Sequence, residues 1–529
     1  MNIQQAYAVL VAKKRGSLVP TTGLLLFVDP SEVDSNIGLS VSDYANVDPT
    51  VQTIFFIDSL TLRPTADAYA LAIASSYFNG KTMVGNADKG ILLLYTVGTS
   101  FAITDEAKKY CGIDWYGVAW DKDNSNPDVI RTGLMAAHSS LPVQSKIYAC
   151  LLADNGTENY KLDPTDWSKK LDGSASNRDG TDGQVMVKFP EYWFRYEVQG
   201  NTRRWLMSPV ALDGFTRDYP QYISAYEASL QRSTSKLSSV ANLTADYRGG
   251  NNDATGDALS RTLLGKPATN ISRTNFRTYA RNRGANWEMD NYFAQRTLLR
   301  FFVTEFATRD SQKAVNTALD INGFRQGGLG IGVTNLASAT WGSFNSYYPA
   351  IPCGFSDSLG SITADTVYAM PPEYGTLDTY VTRYRGVELP FGHLWKNLDG
   401  VNLRIFADGE STPVSEAFIA DDPANWNDSD YNGFRKIGEV PRTNGYVNEL
   451  LGGELLPFNV VGAGSTTFWC DYFYTSLPAS GESLRTMRLG GSATDGSTAG
   501  LGYSDLSRSP SSTNANFGSR LCYIPSGAG

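Results

Sequence analysis

The sequence predicts an α+β fold in two parts: an α/β domain over residues 1–155 and a longer α+β domain with long loops over 156–529. Three observations predict it. Short apolar runs alternate with amphipathic helical patterns over the first 150 residues, as they do in an α/β layer. At Asp154-Asn155-Gly156 the composition shifts toward Asp, Gly, Asn and Ser, and a polar run follows from Ser174 to Gly180, which marks a boundary. Beyond it the chain is Gly-rich and aromatic, 12% Phe, Trp and Tyr overall, with short strand patterns and two helical ones.

The elements follow in order. Runs at 24–28, 53–57, 91–97, 115–119 and 147–152 read as buried strands. Stretches 66–78 and 127–139 read as amphipathic helices, the second opened by Asn126-Pro127. In the second part, 184–190 alternates as a strand and 192–198 is an aromatic strand. Residues 205–209 then lead into a Gly214-Phe215 turn. Ser272 is placed to cap a helix that runs through Phe276, Tyr279 and Ala280 to Gly284, with Asn275 and Arg277 on its polar side. Asp290 opens another, in which Phe293, Leu298, Phe301, Phe302 and Phe306 recur at near-helical spacing.

Composition bounds the function. A chain of 529 residues with 42% apolar content can bury sizeable cores. The net charge of -9 argues against a nucleic-acid partner, which needs basic patches. The densest cluster, Lys13-Lys14-Arg15, reads as a solvated strand or loop end. Five dispersed cysteines without a C-x-x-C pair suggest neither a disulfide framework nor a zinc ribbon. Residues 1–20 lack a signal-peptide pattern, and 24–28 is too short to span a bilayer, so folding in a cytoplasm without membrane insertion is expected.

The last stretch, Arg488 to Gly529, contains no Lys, Glu, Gln, Met or Trp, although these make up roughly one position in eight of the rest. Codons of the form NNC cannot encode those five residues, and such codons remain when adenines in AAC asparagine codons are randomised. The segment GGSATDGSTAGLGYSDLSRSPSSTNANFGSRL at 490–521 is a Gly-punctuated frame with small polar residues between. It resembles the variable region of diversity-generating retroelement target proteins, in which a C-type lectin fold displays randomised residues as a binding face. The matching frame is Gly490-Gly491, Ala499-Gly500, Ser509-Pro510 and Gly518-Ser519-Arg520. Ala493 departs from it, where an aromatic often follows the Gly pair.

A second resemblance spans about residues 160–529. The segments DGTDGQVMVKFPEYWFRYEV at 179–198, the Ser-x-x-x-Phe-Arg-x-Tyr-Ala run at 272–280, LLRFFVTEFATRDSQ at 298–312 and YRGVELPFGHLWKNLDGVNL at 384–403 keep their order. They are similar to segments of phage tail-fibre and minor structural proteins with the C-type lectin fold, which formylglycine-generating enzymes share. The resemblance implies a C-type-lectin-like (formylglycine-generating-enzyme-like) second domain, a place on the virion, and a homo-oligomer such as a trimer. The first part resembles the α/β domain of contractile-tail sheath proteins through its alternation alone, with no motif.

Little in the residues points to chemistry. His138 reads as a capping or surface residue at a helix end, and His393 as a packing residue in a core turn. Cys470 and Cys522 lack the close pairing that would hold copper in the oxidase relatives, and Cys470 reads as a small buried hydrophobe. Asp421-Asp422 and Asp428 with Asp430 are of the type that holds Ca2+, although they meet no strict spacing and also read as a solvated turn. Gly327 to Gly332 reads as a turn rather than a phosphate loop. No catalytic residue, resident metal or other cofactor is expected.

The expected ligand-binding residues are Ser492, Ala493, Thr494, Asp495, Ser497, Thr498, Tyr503, Ser504, Asp505, Ser507 and Arg508, within a variable region of about 488–520. Small polar side chains on an exposed loop tolerate exchange. Tyr503 and Arg508 are the expected energetic anchors. Phe517, Leu521 and Tyr523 are expected to return to the core as a final strand. The partners implied are a bacterial surface receptor, glycan or protein, and other virion proteins. The alternative is an architectural virion subunit, sheath-like, collar or decoration, without receptor binding.

Overall fold

The computed structural model describes residues 23–27, 52–57, 64–65, 91–96, 115–212, 214–249, 262–332, 351–369 and 378–526. These are mostly β-sheet. Three α-helices fall among them: α1 (Met135–Ser140), α2 (Arg273–Arg281) and α3 (Tyr292–Phe306). None of the described helices is long and apolar enough to cross a membrane.

The chain divides into two compact units. One takes residues 1–121, 129–142 and 192–217, and the other takes 122–128, 143–191 and 218–529. The composition shift at 154–156 instead suggested one cut near 155. The difference comes from strand pairing. Tyr192–Gln199 and Thr202–Ser208 form a hairpin, and the second of these pairs with Tyr116–Asp121, Trp205 opposite Val118, so the aromatic stretch closes the first unit. Trp115, Leu206 and Leu212 form a cluster there with Phe215 against it.

Three further strands of the first unit fall where the apolar runs predict them. Gly23–Phe27, Gln52–Ile57 and Ile91–Thr96 pair antiparallel, with the short Pro64–Thr65 at one edge. Alternating strands and helices suit crossover connections between parallel strands, and these described pairs are not parallel. The helix expected at 66–78 lies outside the described residues, as do Lys13-Lys14-Arg15 and Cys111. The helix expected at 127–139 is instead a strand, Ile130–Gly133, followed by α1. Gly133, at a φ of +81°, ends the strand, and a Cβ there would lie 2.6 Å from the Trp115 carbonyl oxygen.

The second unit is built on a seven-stranded sheet. Its order is Trp287–Met289, Leu521–Tyr523, Gln221–Ser224, Gln184–Phe189, Tyr148–Leu152, Glu158–Asp163 and Asp166–Lys170. Gln184–Phe189 sits at its centre with Val185, Met186, Val187 and Phe189 all buried, hence its near-continuous apolar run. Cys150, Met186, Phe276, Trp287 and Leu521 share one core that joins the sheet to α2. Each such side chain contributes roughly 1.5–3 kcal/mol of burial.

Both helices of this unit start near the expected place. Ser272 caps α2, its hydroxyl accepting from the Asn275 N–H at 3.3 Å. At α3 the cap is Asn291, which accepts from the Ala294 N–H at 3.0 Å. Asp290 lies one residue earlier and accepts from Gln295 Nε2 at 2.7 Å. Ala307, left-handed at φ 52°, terminates α3 through its N–H to the Val303 carbonyl at 2.9 Å.

Two further sheets hold the long loops. One runs Gly445–Tyr446, Tyr472–Tyr474, Ser504–Asp505, Arg488–Leu489, Trp395–Asn397 and Phe517–Gly518. The other runs Arg435–Glu439, Ser415–Ile419, Val401–Phe406 and Glu482–Arg485.

Candidate functional site

The segment 488–520 enters and leaves through paired strands. Arg488–Leu489 pairs with both Lys396–Asn397 and Ser504–Asp505, while Phe517–Gly518 lies parallel to Trp395–Lys396. Leu521–Tyr523 then joins the seven-stranded sheet between Gln221–Ser224 and Trp287–Met289. The residues expected to return to the core do so, with Phe517, Leu521 and Tyr523 buried.

Most frame residues have a structural task. Gly490 and Gly491 adopt φ of +96° and +81°, and the Gly490 carbonyl accepts from Gly392 N–H at 2.9 Å. A Cβ on Gly500 would stand 1.6 Å from Asp471 Oδ1. The Pro510 carbonyl accepts from the Arg273 N–H at the start of α2, at 3.1 Å. Ser519 Oγ donates to the Asn397 carbonyl at 3.0 Å. The fully buried Arg520 donates to the carbonyls of Ser224 at 3.1 Å and Leu389 at 2.6 Å, and also to that of Glu388.

Three side chains from outside the segment pin its first turn, and sequence reasoning missed their role. Gln312 Nε2 donates to the Gly496 carbonyl at 3.0 Å and to that of Ala499 at 2.5 Å. Ser311 Oγ accepts from the Leu501 N–H at 3.1 Å, and Asp471 Oδ2 accepts from the Gly502 N–H at 2.7 Å. Burial pushes the Asp471 carboxyl well above its usual range, against the Gly502 bond. Ser311 and Gln312 close the segment LLRFFVTEFATRDSQ, but nothing in their spacing relates them to residues almost two hundred positions away.

The sequence placed eleven residues together on an exposed loop; the structure divides them. Ser492, Ala493, Tyr503, Ser504, Asp505 and Ser507 are buried inside the chain. Thr494, Asp495 and Thr498 are half-buried, and Ser497 and Arg508 are exposed. Physical reasons for the burial are local. Ser492 donates from N and Oγ to Asp495 Oδ2, at 2.6 and 2.7 Å, closing a small turn. Tyr503 packs edge-on to Trp395, with centroids 4.6 Å apart, and to Tyr472 at 5.9 Å. Burial raises its hydroxyl pKa. Asp505 accepts from Arg488 Nη2, and from the Ser507 N–H at 2.7 Å.

What reaches solvent is hydroxyl-rich. Ser497, Arg508, Ser511, Thr513 and Asn514 are exposed, with Thr494, Thr498, Ser509 and Ser512 half-buried. Leu501, Leu506 and Phe517 point into the core. Beside the segment, Tyr446 packs edge-on to Tyr472 at 5.0 Å, and Tyr474 on the same strand is 40% exposed.

The other candidate groups are occupied by the fold. Asp428 accepts from Arg273 Nε at 2.7 Å and Thr274 Oγ1 at 2.6 Å, and pairs with Arg277 at 2.9 Å. Asp421 pairs with Arg435 at 2.8 Å, Asp422 caps the Ala424 N–H, and Asp430 accepts from Asn432 N–H. These carboxylates do not converge, and no metal-holding group of His, Cys, Asp and Glu occurs among the described residues. His138 is buried rather than at the surface, its Nε2 2.9 Å from the Thr132 carbonyl oxygen. His393 is buried with Nε2 3.1 Å from the Tyr380 carbonyl oxygen, and burial lowers its pKa to about 4, so it is neutral at pH 7. Cys470 and Cys522 are buried free thiols whose pKa burial raises.

No protein-family model and no curated protein sequence matches the chain. Among solved structures, PvdO from Pseudomonas aeruginosa is similar at 12% identity and a TM-score of 0.25, over 66% of this chain and 97% of that one. The Major Tropism Determinant U1 variant is similar at 12% identity and a TM-score of 0.18, over 63% of this chain and 72% of that one. Likeness of this degree carries no argument about fold or activity.

Proposed function

We propose that this chain is a bacteriophage virion protein whose C-type-lectin-like second domain displays a diversified surface for binding a bacterial host receptor. One observation carries the reading. Within 490–520 the Gly, Ala and Arg frame is held by specific backbone contacts, while the residues left in solvent are Ser, Thr, Asn and Arg, all of which NNC codons encode. A rigid frame with an exchangeable exposed face is what a diversified binder needs. Small side chains bind weakly one at a time, so display of several copies on a particle would supply avidity, by ~10²–10⁴. The first unit then serves attachment to other virion proteins, and the chain acts without catalysis.

The architectural alternative predicts that neighbouring subunits bury this face. The burial of Tyr503, Ser504, Asp505 and Ser507 does not favour it, because those contacts lie within one chain. A Ser497→Cys variant assembled into particles and treated with a maleimide probe separates the two. Labelling at the rate of a free surface thiol supports display, and protection in the particle but not in the free protein supports the architectural role.

A further inference from the structure

Beside the second half of the segment, Arg485 and Arg488 each lie within reach of the charge of Arg508. The Thr486 N–H donates to the Arg508 carbonyl at 2.9 Å, which sets Arg508 against the neighbour of Arg485. Neither guanidinium has an ion pair or hydrogen bond with any described residue, and Arg485 Nε is buried. Burial and then the charge of Arg508 push the Arg485 pKa down. Arg488 gives Nη2 to Asp505, but its Nε and Nη1 are buried without partners. Ser507 Oγ and Thr475 Oγ1 are also buried without partners.

Two like charges held together with unsatisfied donors around them cost free energy. An anion bridging them removes both penalties through charge-assisted hydrogen bonds. The surroundings indicate what carries the anion. Protein interfaces have an apolar centre, and the exposed part of this segment offers hydroxyls and amides with no large aliphatic side chain. That surface suits a polyhydroxyl ligand, with Tyr474 available for stacking against a sugar face.

We propose that Arg485 and Arg508 form an anion-binding subsite that takes the carboxylate, phosphate or sulfate of an acidic surface polysaccharide. The inference rests on the reading of this segment as the binding face.

The test is retention of the full chain on immobilised polygalacturonate, phosphomannan and dextran sulfate, which separate the three acids, with neutral dextran and polyglutamate alongside. Retention by at least one acidic polysaccharide is expected, with none on neutral dextran. Arg485→Ala/Arg508→Ala should weaken it tenfold or more, whereas Lys146→Ala, which removes an exposed cation elsewhere, should leave it unchanged. Arg508→Ala alone, at an exposed site, decides the matter if the double variant does not fold. Failure of every acidic polysaccharide, equal retention of the arginine variants, or tighter retention on polyglutamate would each overturn the proposal. Cell binding separates it from the wider reading. If Thr494→Ala/Ser497→Ala/Thr498→Ala abolishes cell binding and the arginine variants do not, the anion subsite is wrong and the binding face stands. Arginine-dependent retention by a protein that binds no cell gives the reverse.

Discussion

A Cβ on Gly500 would overlap the Asp471 carboxylate, which is itself fixed by the Gly502 N–H. Gly500→Ala is therefore expected to cost about 2–4 kcal/mol, because a buried carboxylate must move or lose its bond. A shift in the urea midpoint checks this. Tyr503 gives the complementary case. Its ring lies between Trp395 and Tyr472, so Tyr503→Ala should destabilise by about 3–5 kcal/mol, whereas Ser497→Ala should change stability by less than about 0.5 kcal/mol. Denaturation curves of the pair would show whether Tyr503 belongs to the frame. At this scale the sequence shows which residues are small and polar, but not which are exposed. Small polar residues such as Ser504 and Ser507 have the same composition signal whether they face solvent or the core. Only the pairing of Ser504–Asp505 between two other strands decides it.

Helix α2 is fastened to the loop at 427–430 by two arginines on one carboxylate. Burial by itself would raise the Asp428 pKa, and Arg273 and Arg277 more than offset it, holding the group at about 2 against an ordinary 3.8. Because the folded value is depressed, the stabilisation is present above pH of about 4 and is lost as pH falls toward about 2. It amounts to at most about 2 kcal/mol. Asp428→Asn should remove that part of the acid sensitivity, read as a smaller loss of stability between pH 4 and pH 2.5. The final strand depends on Arg520 in the same way. Its guanidinium serves carbonyls from two separate segments, so Arg520→Ala should cost about 3 kcal/mol or more, and Arg520→Lys should not restore it, since an ammonium cannot present the same fork of donors. Helix α2 itself was legible, since Ser272 and the Phe276-Ala280 spacing are local signals. The pattern at 127–139 misled because its apolar residues serve a strand edge and then a short helix, and Gly133 divides them.

At the scale of the molecule, the buried strands were legible because long-range pairing preserves their apolar runs. The division into units was not. Which strand a segment joins is a non-local choice, and Tyr192–Gln199 and Thr202–Ser208 return to a strand more than seventy residues earlier. The segment at 490–520 was legible as a Gly-punctuated frame with small polar residues between, while its supports at Gln312 and Asp471 come from distant parts of the chain. The proposed role of the exposed side of this segment is recognition of a bacterial surface. It is tested most directly by binding of the purified chain to candidate host cells, compared with Thr494→Ala/Ser497→Ala/Thr498→Ala/Arg508→Ala, a variant confined to side chains that reach solvent. At least a tenfold loss of cell binding with an unchanged urea midpoint is expected. Equal binding by the two folded proteins would contradict it.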